Sequence, residues 1–323
     1  MKITKLALTA TILSFLSLSA SAGRPDQYAP AGVMGDHIHD SGKLMLSYRL
    51  MKMNMDNLYE GDSKIDYSDL RGNYMMAPTD MNMKMHMFGG MYGLNANHTL
   101  MVMVPYIENN MNMINTMNGT TSNMKSEGLG DIKISDIYQL KTMGWMSNIN
   151  LGISLPTGGI KEQKNGARLP YRMQLGSGTY DPFFAFNSVK HLSGATVGYQ
   201  LKATARLGRN SQDYSLGEKY EGSLWYNHIL CERVSSSIRL NVSRENNIDG
   251  KDTQIETGMT NPARRSFLTG RMATSLALGL SYDVPGLKDT RLAVEYTKPV
   301  YQKLDGPQLG VSNIITIGLQ KSF

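Results

Sequence analysis

From residue 43 onward, apolar side chains recur at every second position in one segment after another. That period belongs to β-strands, whose side chains point alternately to opposite faces, and not to an amphipathic helix with its 3.6-residue period. Leu44, Leu46, Tyr48 and Leu50 alternate with Met45, Ser47, Arg49 and Met51. Leu100, Val102, Val104 and Tyr106 alternate with Met101, Met103 and Pro105, and Ile149, Leu151, Ile153 and Leu155 with Asn148, Asn150, Gly152 and Ser154. The second half is cleaner: Ala195, Val197, Tyr199, Leu201, Ala203 and Ala205 oppose Thr196, Gln200, Lys202, Thr204 and Arg206, and Val234, Ile238, Leu240 and Val242 oppose Ser235, Ser237, Arg239, Asn241 and Ser243. A soluble sandwich satisfies this pattern with its apolar face inward and a membrane barrel with that face outward, so the connections and the chain ends have to decide.

The connections alternate between long and short. Residues 58–78, 114–128, 157–178, 208–217, 246–269 and 302–310 are long and polar, as extracellular loops of outer-membrane barrels are. Between them lie short links at Gly93 to Asn97, Lys141 to Gly144, His191 to Gly194, Leu230 to Glu232 and Pro285 to Asp289, the pattern of periplasmic turns. Long loops and short turns in this rhythm count to about twelve strands with both ends on one side.

The first residues carry Lys2 and Lys5, an apolar run from Leu6 to Leu18, and then Ala20-Ser21-Ala22, the order of a secretory signal peptide cleaved after Ala22. No later apolar run approaches the roughly 20 residues of a spanning helix, in a chain that is 41% hydrophobic with 32 glycines. A membrane span is therefore made of strands, and only a closed barrel satisfies every strand's backbone groups in lipid. The net charge of +6 falls to +4 when Lys2 and Lys5 leave, too mild a balance to indicate nucleic acid as a partner. Cys231 is the single cysteine, which excludes an intramolecular disulfide and a thiolate cluster and suggests a small buried filler near a turn. The final segment places Val311, Ile315, Ile317, Leu319 and Phe323 on one face, in the manner of the C-terminal strand recognised by bacterial barrel-assembly machinery.

These features predict an all-β protein, an antiparallel transmembrane β-barrel in the bacterial outer membrane. Its expected parts are a signal peptide over residues 1–22, an N-terminal periplasmic segment over 23–42 and the barrel over 43–323, with outer-membrane lipid as its surroundings.

Twenty of the 24 methionines lie between Met34 and Met146, in alternating runs: Met51, Met53, Met55; Met81, Met83, Met85, Met87; Met101, Met103; Met111, Met113. Alternation puts each run on one face of a strand. In the first and third strands the branched and aromatic residues occupy the lipid side, so Met51, Met53, Met55, Met101 and Met103 line the lumen. In the second, Asn82, Lys84 and His86 alternate with the methionines, and the simplest barrel turns those polar groups inward and Met81 to Met87 to lipid; the register is open. Thioethers are soft ligands that favour Cu(I) or Ag(I), and Met34 with His37 and His39 adds two imidazoles able to join them. The alternative is methionine as a flexible apolar filler. The candidate metal residues are thus Met34, His37, His39, Met51, Met53, Met55, Met101 and Met103, with Cu(I) or Ag(I) as ligand or cargo and no cofactor or catalytic residue required.

Three short motifs, Gly128-Leu129-Gly130-Asp131, Ser154-Leu155-Pro156-Thr157-Gly158 and Gly176-Ser177-Gly178-Thr179-Tyr180-Asp181, resemble the outer-membrane transporter family named for the meta-pathway of phenol degradation. The Met-rich stretch from Met34 through Met124 is similar to a branch associated with copper handling. The resemblance implies a barrel and transport, not phenol cleavage, and carries over no catalytic residue. Glycine at 128 and 130 permits a positive φ at a strand entrance, and Pro156 lacks a ladder donor where pairing stops.

Three function classes remain: a channel or transporter for soft metal ions or small hydrophobic solutes, a structural or adhesive barrel, and an outer-membrane lipid hydrolase. The last needs a Ser beside a His in an H-x-S-N-G context on the lipid-facing wall. His191-Leu192-Ser193-Gly194 lacks the Asn-Gly and falls in a short turn. No phosphate-binding loop, zinc-protease motif or dinucleotide fingerprint occurs.

Overall fold

The computed structural model describes residues 24–258 and 260–323. The expected signal peptide lies outside the described residues. Twelve strand elements build one sheet: β1 (Leu44–Gly61), β2 (Met76–Gly93), β3 (His98–Asn115), β4 (Thr121–Leu129), β5 (Lys133–Leu140), β6 (Met146–Ser154), β7 (Asp181–Leu192), β8 (Ala195–Thr204), β9 (Lys219–Cys231), β10 (Val234–Glu245), β11 (Arg271–Asp283) and β12 (Thr290–Ser322). Each pairs antiparallel with its neighbours, and β12 pairs with β1 to close the ring. Eleven of these elements form the ring; β4 continues the line of β5 upward along β3, and a three-residue strand at Ser63–Ile65 hangs on β1.

A ring in which every neighbour is antiparallel needs an even number of passes. The 33 residues of β12 resolve the parity. Residues 291 to 304 pair with β11, and 304 to 322 pair with β1 in the opposite direction, so this element climbs the wall, folds back near Leu304 and descends. It contributes two passes, which brings the wall to the twelve expected. Instead of an open loop at 302–310, a tight reversal is fastened by Gln302, whose side chain donates to the Val311 carbonyl (3.0 Å) and accepts from its N–H (2.8 Å).

The outer face explains the alternation. Leu151, Leu224 and Leu278 are each 58% exposed, and they belong to an apolar belt running round every pass. Such a contiguous apolar surface is covered by lipid or a partner in any stable protein. On β1, β2 and β3 the belt stops at one height. The paired residues Leu50, His86 and Tyr106 form the last belt row, and above it Lys52, Lys84 and Glu108, then Asn54, Asn82 and Asn110, then Asp56, Asp80 and Asn112 face outward. Lys84 and His86 both reach Glu108, at 3.3 and 3.4 Å, and Tyr48 Oη lies 2.7 Å from His86 Nδ1. The wall thus stands above the lipid, polar outside, for several rows.

This settles the second strand against the simplest reading. Met81 to Met87 face inward and Asn82, Lys84 and His86 outward, because the rows of Lys84 and Asn82 meet water and not acyl chains, and His86 at the belt's upper edge has Glu108 and Tyr48 as partners. For the same reason residues 121–128 of the expected loop 114–128 are strand; only 116–120 turn. The short links sit where expected. Val311 does not share the face of Ile315, Ile317 and Leu319: a bulge between Asn54 and Met55 turns it inward, against the methionines. Cys231 is exposed rather than buried, at the end of β9.

Residues 24–43 carry no periodicity and form no strand up to Lys43. They run inside the ring at the short-turn end. Asp26, Ala31, Val33, Asp36 and His39 are buried there, and Ala29 and Val33 pack on Val189 and Trp225. At the opposite end, 155–180 and 246–270 fold over the mouth. Leu169 and Met173 cap the upper methionines, and Tyr171 meets Tyr214 edge to face at 5.0 Å.

Candidate functional site

The inward positions of β1 to β4 stack thioethers in cross-strand rows. Met51 pairs with Met85, Met53 with Met83, and Met55 with Met81, which continues to Met111 and Met124. Directly opposed antiparallel residues have Cβ atoms about 4.5–5.5 Å apart, so each row presents two or more sulfurs to the same point of the lumen. These rows bound a cavity of about 390 Å³ whose floor includes Met34 of the N-terminal segment and whose roof includes Tyr171 and Leu175.

The facing wall is charged. Lys219 and Lys202 hold Glu221 (2.8 and 3.5 Å), Arg206 pairs with Asp181, and Arg271 and Arg172 share Glu245 (2.8 and 3.8 Å). Burial pushes the Arg172 guanidinium down to about 10, helped by Arg271, which leaves it charged at neutral pH. Lys133 lines the cavity and makes no ion pair among the described residues. Deeper in the ring, Arg239 and Glu295 form a buried pair at 2.6 Å.

Below the cavity, wall amides grip the N-terminal segment by its carbonyls. Asn148 donates to Asp36 (2.8 Å), Asn187 to Gly35 (2.9 Å), Gln200 to Met34 (2.9 Å) and Asn227 to Tyr28 (2.8 Å). Asn187 also donates to Asn148 and Gln200 to Asn187, at 2.8 and 2.6 Å, so three of the four amides form a relay. Thr196 donates to the Asp26 carboxylate at 2.7 Å. A segment without secondary structure has no ladder for its backbone groups, and buried ones need partners; inward Asn and Gln supply them. Gly35 has φ +69° and a Cβ there would lie 2.4 Å from Asn150 Nδ2, so the turn of the segment admits only glycine.

The eight candidate metal residues fall into two groups. Met51, Met53 and Met55 line the upper cavity. Met34, Met101, Met103 and His37 line a smaller one of about 40 Å³ around the N-terminal segment, and Met34 and Met103 line the upper cavity as well. His39 lies beside His37, ring centroids 5.0 Å apart, and burial first and His37 second push its pKa down to about 4. Burial works to raise the Asp36 pKa but is outweighed by His37 and by the Ala29 N–H, which hold it below the usual carboxylate range. Among the described residues no group of three or more His, Cys, Asp and Glu is placed to hold a metal, so any metal site here depends on thioethers.

Sequence reasoning missed the inward methionines of β2, the amide relay and Lys133. Inward Asn148 and Gln200 were visible in the alternation, but nothing marked their partner. The three Gly-rich motifs meet at one carboxylate: Asp131 accepts from Gly158 N (2.9 Å), Ser177 N (2.8 Å) and Ser177 Oγ (2.8 Å). They fasten the roof to the wall. Gly128 has φ +154°, whereas Gly130 is not among the positive-φ glycines and sits in a close approach, where a Cβ would meet the end of the Ile107 side chain at 2.8 Å. His191 bonds to Thr196 (2.7 Å) and Ser193 sits in the short turn at residues 193–194.

No protein-family model matches the sequence, and no curated protein matches it. Among solved structures, the fold is similar to an outer membrane channel from Pseudomonas putida F1, at 13% identity and a TM-score of 0.59, covering 89% of this chain and 98% of that one. Weaker likenesses include the beta domain of the Bordetella autotransporter BrkA (11% identity, TM-score 0.46, 88% and 100% covered) and a FadL homologue of Pseudomonas aeruginosa (8%, 0.44, 87% and 90%). The closed antiparallel ring and its apolar belt are those of a bacterial outer-membrane barrel.

Proposed function

We propose that this barrel is an outer-membrane channel or transporter for soft monovalent metal ions, Cu(I) or Ag(I), with the short-turn end facing the periplasm. The observation that carries the reading is the stack of three cross-strand methionine rows on β1 to β4, facing a cavity between an N-terminal plug and a roof of long loops. Flexible thioethers hold soft ions without the charge that would trap them, and successive rows offer the multiple weak sites from which an ion can leave. The meta-pathway transporter resemblance and its copper-associated branch agree with this reading.

The cationic wall favours a second cargo class, a small apolar solute bearing negative charge, seated between Lys133 and the thioethers. Proteoliposomes loaded with a silver-sensitive dye separate the two. Under the metal reading, Ag(I) entry exceeds that of protein-free vesicles and falls about tenfold when Met51, Met53 and Met55 are changed together to Leu. Leucine is close to methionine in volume, so the wall keeps its packing at a cost below about 1.5 kcal/mol per site. Entry no faster than in empty vesicles, or equal in the variant, contradicts the metal reading.

A further inference from the structure

The N-terminal plug carries two imidazole nitrogens that nothing in the protein satisfies. His37 Nε2 and His39 Nε2 are both buried from solvent and neither has a hydrogen-bond partner. Buried polar atoms are paired in the great majority of cases, so two orphans on neighbouring rings need a reason. The other nitrogen of His37 supplies one. Its Nδ1 lies 2.9 Å from Asp36 Oδ1, and a carboxylate there takes the Nδ1–H and leaves the Nε2 lone pair free. That carboxylate, histidine and open-nitrogen order is how proteins orient a metal-ligating imidazole. The backbone N–H of His39 donates to Thr99 Oγ1 at 2.9 Å, which ties the second histidine's main chain to the wall.

We propose that His37 and His39, with one thioether from Met34, Met101 or Met103, form a second soft-metal site that pins the plug inside the ring. The ring centroids stand 5.0 Å apart, which brings both rings within reach of a single ion. His37 and the three methionines line the same small cavity of about 40 Å³, room for an ion and not for an organic solute. Asp36, bonded to His37, brings negative charge to the site, where Arg49 also lines the cavity. Met34 and both histidines belong to the plug while Met101 and Met103 belong to β3, so the bound ion bridges plug and wall. The site stands independently of the cargo proposed for the upper cavity.

The test uses the full chain refolded in detergent and Ag(I) as the probe. X-ray absorption at one equivalent is expected to show nitrogen and sulfur neighbours, and hydrogen exchange over 24–42 is expected to slow about tenfold. His37→Gln with His39→Gln abolishes the nitrogen shell and the slowing, whereas Met51, Met53 and Met55 changed to Leu leave both. His37→Met with His39→Met is the control for folding: it regains the ion with sulfur neighbours only. A nitrogen shell absent from the wild type or retained in the double Gln variant overturns the site, as does slowed exchange that survives loss of both imidazoles.

Discussion

At the scale of single residues, the interior is organised by partners far apart in sequence. Arg239 and Glu295 are 8% and 1% exposed and carry opposite charges at 2.6 Å. Removing one partner of a buried pair strands the other and costs about 3–5 kcal/mol, while replacing both with apolar residues of similar volume is close to neutral. Glu295→Leu is therefore expected to lower the urea midpoint of the refolded barrel sharply, and Arg239→Met added to it to restore most of the loss. A double variant no better than the single shows that the pair does not act as a unit. Asp131 makes the same kind of argument at the roof. Asp131→Ala removes the acceptor of three hydrogen bonds, a cost of about 3 kcal/mol, and is expected to speed protease cleavage within 155–180 while leaving the ring intact. Alternation turned Arg239 into the lumen, where a bridge to an acidic residue was one of its two readings, but neither its partner Glu295 nor the partners of Asp131 could be named from sequence, since they come from distant segments.

At the scale of elements, what the sequence disclosed depended on what each face touched. Where the outer face meets lipid, as from Leu44 to Leu50 or Val197 to Ala203, greasy and polar positions separate and the strand is plain. Above the lipid both faces change character: Asn82 and Lys84 turn out to water and methionine turns in, so the rule that polar means lumen reverses along β2. The same reversal hid β4, where Lys125 and Glu127 face out. The N-terminal segment was legible only as a His-x-His, because its order comes from wall amides such as Asn187, 152 residues away from Gly35. Its seat is sensitive to size: a Cβ on Gly32 would lie 2.3 Å from Arg239 Nη2 and 2.4 Å from Glu295 Oε1. Gly32→Val is expected to unseat the segment, raising hydrogen exchange over 24–42 at least tenfold with the barrel's heat-modifiable gel mobility unchanged. Exchange at the wild-type rate contradicts the tight fit.

At the scale of the whole molecule, the ring, the plug and the roof form a chamber. Twelve strands enclose a narrow lumen, and here the space left by inward side chains is filled below by residues 24–43 and roofed above by long loops. Planar-bilayer conductance is expected to be small for the full chain and several-fold larger when residues 24–42 are deleted, because the amides at Asn148, Asn187, Gln200 and Asn227 then face water. Equal conductance locates the constriction in the roof instead. The ring was readable from alternation and loop rhythm together; the chamber was not, since closure above and below arises from segments with no periodicity.

The central claim is that the methionine rows bind soft metal, and titration calorimetry of Ag(I), repeated with Cu(I) under reducing conditions, into the refolded barrel tests it most directly. The account predicts binding to the wild type in excess of the single ion held at the plug, with the excess lost when Met51, Met53 and Met55 become Leu. Binding of no more than one ion to the wild type, or binding of the full number to the triple variant, contradicts it and returns the thioethers to the role of apolar lining.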